Sequence, residues 1–245
     1  MRRLKRSIRK IFHLLLSPLV WRDFFRFRSV DKTGRFSSDF LDFYPKLLDK
    51  TVNTGFDRHY VYHTSWAARK LKEIAPEKHI DVSSSLYFAG IVSAFMPVEF
   101  YDYRPPALAL DGLEVRRADL MSLPFPDGSV RSLSCMHTVE HIGLGRYGDE
   151  IDPDGDLKAI EELKRVLAPG GSLLFAVPVG RPKIMFNAHR IYSYDQIAGY
   201  FSGLDLKEFC LIPESSAGGG LVVDNARAMA DREEYGCGCF WFVKK

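Results

Sequence analysis

Apolar runs of strand length recur along this chain at regular intervals with helical patterns between them, and this alternation restricts the fold more than any other feature. The runs are His79 to Ser83, Val98 to Tyr103, Leu113 to Ala118, Val130 to Met136, Ser172 to Val179, Leu206 to Ile212 and Cys239 to Val243. Trp66 to Ile74 reads as a helix that stops before Pro76. Asp156 to Leu167 carries Leu157, Ile160, Leu163, Val166 and Leu167 at three- and four-residue spacing, and Ser193 to Phe201 reads as a further helix. Pro169-Gly170-Gly171 supplies the residue types that stop a helix and turn the chain into a strand. The pattern predicts an α/β domain over residues 61–245, built on a mostly parallel seven-stranded sheet with helices on both faces. Residues 29–60 read as a polar, aromatic-rich connector.

Charge separates off the first 28 residues. They hold nine Lys/Arg against Asp23 alone, a net of +8, while the whole chain sums to +3, which leaves an acidic remainder. A basic arm on a mildly acidic body differs from a nucleic-acid-binding domain, whose positive charge spreads over a folded face. The apolar run from Ile11 to Trp21 is broken by His13 and Pro18 and lacks the small-x-small residues of a secretory cleavage site. It is also shorter than the ~20 residues that span a bilayer. At helical period Leu4, Ile8, Ile11, Phe12, Leu15 and Leu19 share one face and Arg and Lys fill the other, an amphipathic helical arm. One reading lays this arm on an anionic membrane surface, each basic residue adding about 1 kcal/mol; the other packs its apolar face on the body or on a partner subunit. Four cysteines are too few and too unevenly spread for a disulfide framework, so the expected compartment is reducing and cytoplasmic, peripheral to the inner face of the membrane under the first reading.

A sheet of this kind binds ligands beyond the carboxyl ends of its strands, where the strand order reverses. The residues just past each strand are therefore the candidates: Asp81, Ser83, Ser84 and Ser85 after the first, Asp102 and Tyr103 after the second, Asp119 and Leu120 after the third, and His137 to His141 after the fourth. A carboxylate at a strand end must meet a donor or water. Three in succession suit a ligand with ribose hydroxyls, an exocyclic amine and a charged amino-acid tail.

The stretch from Ala118 to Gly180 reads ADL-x-x-LPFPDGSV, a strand, Glu140-His141, and a helix ending ELKRVLAPGGSLLFAVP. This order resembles the class I S-adenosylmethionine-dependent methyltransferases, and the likeness extends over roughly residues 60 to 245. The strings HIGLGRYGDEIDPDGDLKAI and FNAHRIYSYDQI are similar to a subgroup of uncharacterised methyltransferase-like proteins, domain of unknown function 268. The resemblance implies a Rossmann-like sheet and S-adenosylmethionine as cofactor. It assigns Asp102 to the ribose hydroxyls, Asp119 and Leu120 to the adenine, and the turn from Asp81 through Ser83 to Ser85 to the methionine end, with His137 also in the cofactor set. One motif departs: the family's acid-x-Gly-x-Gly-x-Gly turn here reads Asp81-Val82-Ser83-Ser84-Ser85-Leu86-Tyr87. Glycine there tolerates positive φ and lets the backbone approach the ligand; serine can hydrogen-bond a turn but narrows the pocket. The missing G-x-G-x-x-G equally weakens a nicotinamide reading.

Methyl transfer to an alcohol needs an aligned nucleophile and a general base. His141, beside Glu140 and His137, and His189 after the fifth strand are the expected catalytic histidines, with Glu140 in the same set. Arg146, Tyr147 and Arg190 are candidates to bind an anionic acceptor such as a phosphorylated sugar. No metal is expected. The acidic run Asp149 to Asp156 lacks calcium-loop spacing, so Asp154 or Asp156 is read as a helix cap, and Cys237 and Cys239, with no second cysteine pair nearby, as structural. The expected activity is methyl transfer to a small or glycan-type acceptor, a sugar hydroxyl in surface polysaccharide assembly. The rival is a non-catalytic module that keeps the sheet and serves as an assembly or recruitment partner.

Overall fold

A computed structural model describes residues 18–47 and 49–245. The chain divides into two compact units, Met1–Gly55 and Phe56–Lys245. In the first, helix α1 (residues 18–30) presents Trp21 and Phe24 at i, i+3 spacing. Trp21 stacks on Phe43 with ring centroids 3.8 Å apart and on Phe40 at 4.7 Å, offset contacts that aromatic quadrupoles favour. The basic cluster from Arg2 to Lys10 and the apolar positions Leu4 to Leu15 lie outside the described residues. Among the described residues no helix is long and apolar enough to cross a membrane.

The second unit begins with helix α2 (Arg58–Ile74), eight residues before the expected start at Trp66. Asp57 caps it by accepting from the Tyr60 N–H at 3.1 Å, and Ala75 ends it in the left-handed region ahead of Pro76. Its buried stripe is His59, His63, Trp66, Ala67 and Leu71. A seven-stranded sheet follows in the order β3-β2-β1-β4-β5-β9-β8. These strands are β1 (His79–Val82), β2 (Val98–Asp102), β3 (Leu113–Arg117), β4 (Val130–Met136), β5 (Leu167–Val179), β8 (Leu204–Ile212) and β9 (Gly236–Lys244). All pair in parallel from β3 to β5; β9 alone runs antiparallel, between β5 and β8. The expected mostly parallel sheet is present, and the order reverses between β1 and β4.

Strand alternation divides the core between the two faces. Ile80, Val82, Leu133, Cys135, Phe175, Val177, Phe240 and Phe242 point to the face covered by α4 (Gly155–Val166), α5 (Tyr194–Tyr200) and α6 (Ala226–Ala230). Val98, Phe100, Met136, Leu174, Cys237 and Cys239 point to the face covered by α2 and α3 (Leu86–Val92). Helix α5 begins with a capping box in which Ser193 and Gln196 exchange side-chain and backbone bonds. A two-stranded hairpin, β6 (Lys183–Met185) with β7 (His189–Ile191), stands apart from the sheet.

The acidic run before α4 behaves differently from the expected cap. Asp154 occupies the N-cap position without a side-chain cap bond, and Asp156 is buried against Tyr192, whose hydroxyl donates to it at 2.9 Å. Asp149 organises the run instead: its carboxylate accepts from the Gly143, Gly145 and Tyr147 N–H groups at 2.9 to 3.2 Å. Gly143 has φ +76°, and a Cβ there would lie 2.0 Å from the Asp152 carbonyl oxygen, so this close approach requires glycine.

Candidate functional site

The reversal between β1 and β4 places the serine turn beside the carboxyl end of β4. Ser83 has φ +55°, the left-handed conformation for which glycine is the ordinary choice, and a non-glycine residue there costs about 1–2 kcal/mol. Its N–H and Oγ both donate to the Tyr101 carbonyl, at 2.8 and 3.1 Å, and its own carbonyl accepts from Thr138 Oγ1 at 2.9 Å. Ser84 Oγ accepts from the Met136 N–H at 3.0 Å. The turn is thereby fastened to β2 on one side and β4 on the other, and Ser85 stands at the N-cap of α3.

Asp81, expected to meet the cofactor, lies under that turn. It is fully buried, accepts a hydrogen bond from Ser134 Oγ, and has no partner for Oδ2. Burial pushes its carboxyl up to about 7, against the lowering effect of bonds from Ser134 and Ser84. His79 sits two residues earlier on the same strand face, with Nδ1 2.8 Å from Ser132 Oγ and Nε2 2.8 Å from Ser134 Oγ; burial holds its imidazole down to about 3, hence neutral. Asp102 and Asp119 remain partly exposed at the ends of β2 and β3. Each commits one carboxylate oxygen to a local turn, accepting from the Arg104 N–H at 2.7 Å and the Met121 N–H at 2.9 Å. Leu120 is buried beside them.

The histidines after β4 separate into two groups. His137 has φ +56°, and protein groups enclose its ring. Nδ1 donates to Glu140 Oε1 at 2.9 Å, Nε2 lies 3.3 Å from Cys237 Sγ, and the rings of His59, Tyr60 and His63 lie 5.0 to 5.5 Å away. Burial opposes its charge, but the Cys237 sulfur and Glu140 outweigh that and push it up to about 10. Its partners are thus α2, β9 and Glu140, whereas the resemblance placed it in the cofactor set. Glu140 is buried between His137 and His141; it holds His137, and its Oε1 stands 3.7 Å from His141 Nε2. His141 Nδ1 donates to the Ala188 carbonyl at 2.7 Å, a tautomer that leaves Nε2 with the lone pair, and burial holds its pKa below the usual range. His189, on β7, meets it edge to face at 6.4 Å and has a buried Nε2 without a partner. The two expected catalytic histidines are therefore neighbours.

Of the expected anion-binding groups, Arg146 is exposed and Tyr147 is its ring partner at 4.9 Å, but Arg190 is buried and committed to backbone carbonyls. Sequence reasoning passed over His59, His63 and Tyr235, which line the same region. A cavity of about 680 Å³ opens at the opposite, amino-terminal edge of β1 and β4 and holds none of these residues.

Comparison with known proteins bears on this arrangement. Two solved structures overlay three quarters of the chain: the N-methyltransferase NodS from Bradyrhizobium japonicum, in complex with S-adenosyl-L-homocysteine, and a chain of the complex between the Haloferax volcanii Trm112 methyltransferase activator and its methyltransferase. For NodS the TM-score is 0.52 at 14% identity, covering 76% of this chain and 86% of that one; for the Haloferax chain it is 0.51 at 19%, covering 76% and 89%. The fold is that of the class I methyltransferases. Within this methyltransferase fold, residues 129–211 match a family described as Caenorhabditis protein of unknown function, DUF268. A demethylmenaquinone methyltransferase from Thermus thermophilus is 33% identical over 127 residues, 46% of this chain and 52% of that protein. The chain spans about half the length of this curated relative.

Proposed function

We propose that the chain is an S-adenosylmethionine-dependent methyltransferase acting on a hydroxyl of a small or glycan-type acceptor. The observation that carries this reading is the set of strand ends at the β1/β4 reversal: the left-handed serine turn, then Asp102, then Asp119 with Leu120. A fixed turn suits the methionine end, and each aspartate keeps one oxygen outside its local turn, for ribose hydroxyls at Asp102 and the adenine edge at Asp119. The cofactor supplies an electrophilic methyl group. His141 Nε2 accepts the acceptor's proton, with the Ala188 carbonyl fixing the ring and the Glu140 carboxylate favouring the imidazolium that forms, and His189 borders the same space. The exposed Arg146 guanidinium beside His141 suits an acceptor with an anionic group. The Thermus relative is named for transfer to demethylmenaquinone, which fits a small organic acceptor.

Titration calorimetry of the full chain with S-adenosylmethionine and S-adenosylhomocysteine tests the reading. Asp102→Ala removes charge-assisted hydrogen bonds worth about 1.5–3 kcal/mol each and is expected to weaken binding at least tenfold. Absence of heat and of thermal shift at millimolar cofactor would leave the non-catalytic module as the function.

A further inference from the structure

Among the described residues, one group of mixed metal-ligating donors comes together in the interior. His59 on the first turn of α2, His137 after β4 and Cys237 at the start of β9 are all buried, and their donor atoms lie within 4.8 Å of one another. We propose that these three residues bind one zinc-class divalent cation.

Several features carry this. Tetrahedral coordination with Zn–N of ~2.0–2.1 Å and Zn–S of ~2.3 Å sets N···S separations of roughly 3.5 Å. The His137 Nε2 to Cys237 Sγ distance of 3.3 Å is already close to that value. Metal-binding imidazoles typically give their second N–H to a carboxylate or a backbone carbonyl, which fixes the tautomer and turns the other nitrogen to the ion. His137 does so, with Nδ1 held by Glu140 at 2.9 Å. His63 packs beside the cluster with the same polarity to satisfy: it is 0% exposed, its Nε2 has no protein partner, and its ring centre is 5.0 Å from that of His137. An unpartnered buried nitrogen is costly unless something occupies it. Two imidazoles and a sulfur select zinc or cobalt over magnesium and calcium, which take oxygen ligands. Glu140 ties this cluster to His141, so an ion here would stand one residue away from the proposed acceptor base. The inference does not rest on the methyltransferase reading.

Cobalt(II) titration of the chelator-stripped full-length chain tests it. The expected result is saturation at one equivalent with a thiolate-to-cobalt charge-transfer band in the near ultraviolet, displaced by one equivalent of zinc. Cys237→Ser should abolish the band and weaken cobalt binding at least tenfold, while Cys239→Ser should keep both. Cobalt that binds without the band, fails to bind, or gives the same band in Cys237→Ser overturns the assignment. Should Cys237→Ser not fold, the wild-type band at one equivalent decides the question alone.

Discussion

Replacing Arg190 by Ala separates a structural guanidinium from an acceptor-binding one. Arg190, on β7 and 5% exposed, donates from Nη1 to the Ile142 carbonyl at 2.6 Å and from Nη2 to the Pro153 carbonyl at 3.1 Å; its Nε is 3.5 Å from Asp156 Oδ2. It thus clamps both ends of the Asp149-organised loop to the hairpin that carries His189. Removing it strands the carbonyls of half-buried Ile142 and exposed Pro153 and leaves the buried Asp156 with only the Tyr192 hydroxyl. Breaking one side of a buried ion pair costs about 3–5 kcal/mol. For a chain of this size each kcal/mol lowers Tm by roughly 2–4 °C, so Arg190→Ala should melt roughly 6–20 °C lower by scanning calorimetry. Urea unfolding should give the same loss with an unchanged m-value. Arg190→Lys should fall between, because an ammonium cannot span carbonyls and carboxylate as a planar fork does. Arg146→Ala, at an exposed site, should stay within about 0.5 kcal/mol of wild type. An Arg190→Ala protein within 1 kcal/mol of wild type would refute the clamp and return Arg190 to the acceptor site.

Two further outcomes follow from buried titrating groups. The folded chain holds His79 and Asp81 neutral between about pH 4 and 6.5, where the unfolded chain holds both charged. His79, depressed to about 3, contributes stability that is complete above its unfolded value and lost as pH falls. Asp81, raised to about 7, contributes stability that is complete below its unfolded value and lost as pH rises. The two slopes, each about 1.4 kcal/mol per pH unit, cancel in that window. Relative to wild type, Asp81→Asn should then gain stability with rising pH and His79→Leu should lose it; three parallel curves in urea-melt series would disprove the pairing. At the proposed acceptor base, His141→Ala should lower turnover by ~10²- to 10⁴-fold at unchanged cofactor affinity, and the wild-type rate should rise with pH through a midpoint below the usual histidine value, because burial disfavours the imidazolium. A pH-independent rate would remove the base.

The parts legible in the sequence were those written in apolar periodicity. All seven sheet strands fall on the apolar runs; the central β1, β4 and β5 are buried on both faces and read most continuously, whereas the edge strand β3 exposes Glu114, Arg116 and Arg117. The start of α2 was hidden because its buried stripe opens with His59 and His63, which no hydrophobic pattern counts. The β6/β7 hairpin was hidden because Lys183, Ile184 and Met185 are all exposed. The antiparallel direction of β9 depends on pairing partners, which periodicity does not encode. In the site, Asp102 and Asp119 followed from the strand-end rule. The His59, His137 and Cys237 cluster could not, since its members come from three segments and the Cys-x-Cys spacing contains only one of them.

The serine turn bears on how a motif can lose its characteristic residue and keep its shape. Glycine reaches the left-handed region at no steric cost, whereas Ser83 pays about 1–2 kcal/mol for it. Three hydrogen bonds from Ser83 and Ser84 side chains and from Thr138 act on this turn, each worth about 0.5–1.5 kcal/mol, so the local cost is offset within the turn itself. What changes is freedom: a glycine turn can adjust when ligand arrives, but one bonded to Tyr101, Met136 and Thr138 is set beforehand. Preorganisation removes ordering cost from binding only where the fixed shape matches the ligand. On the proposed reading, cofactor affinity depends on the fit of a rigid turn, and substitutions at Thr138, which only hold it from behind, should act on affinity as strongly as changes in the turn.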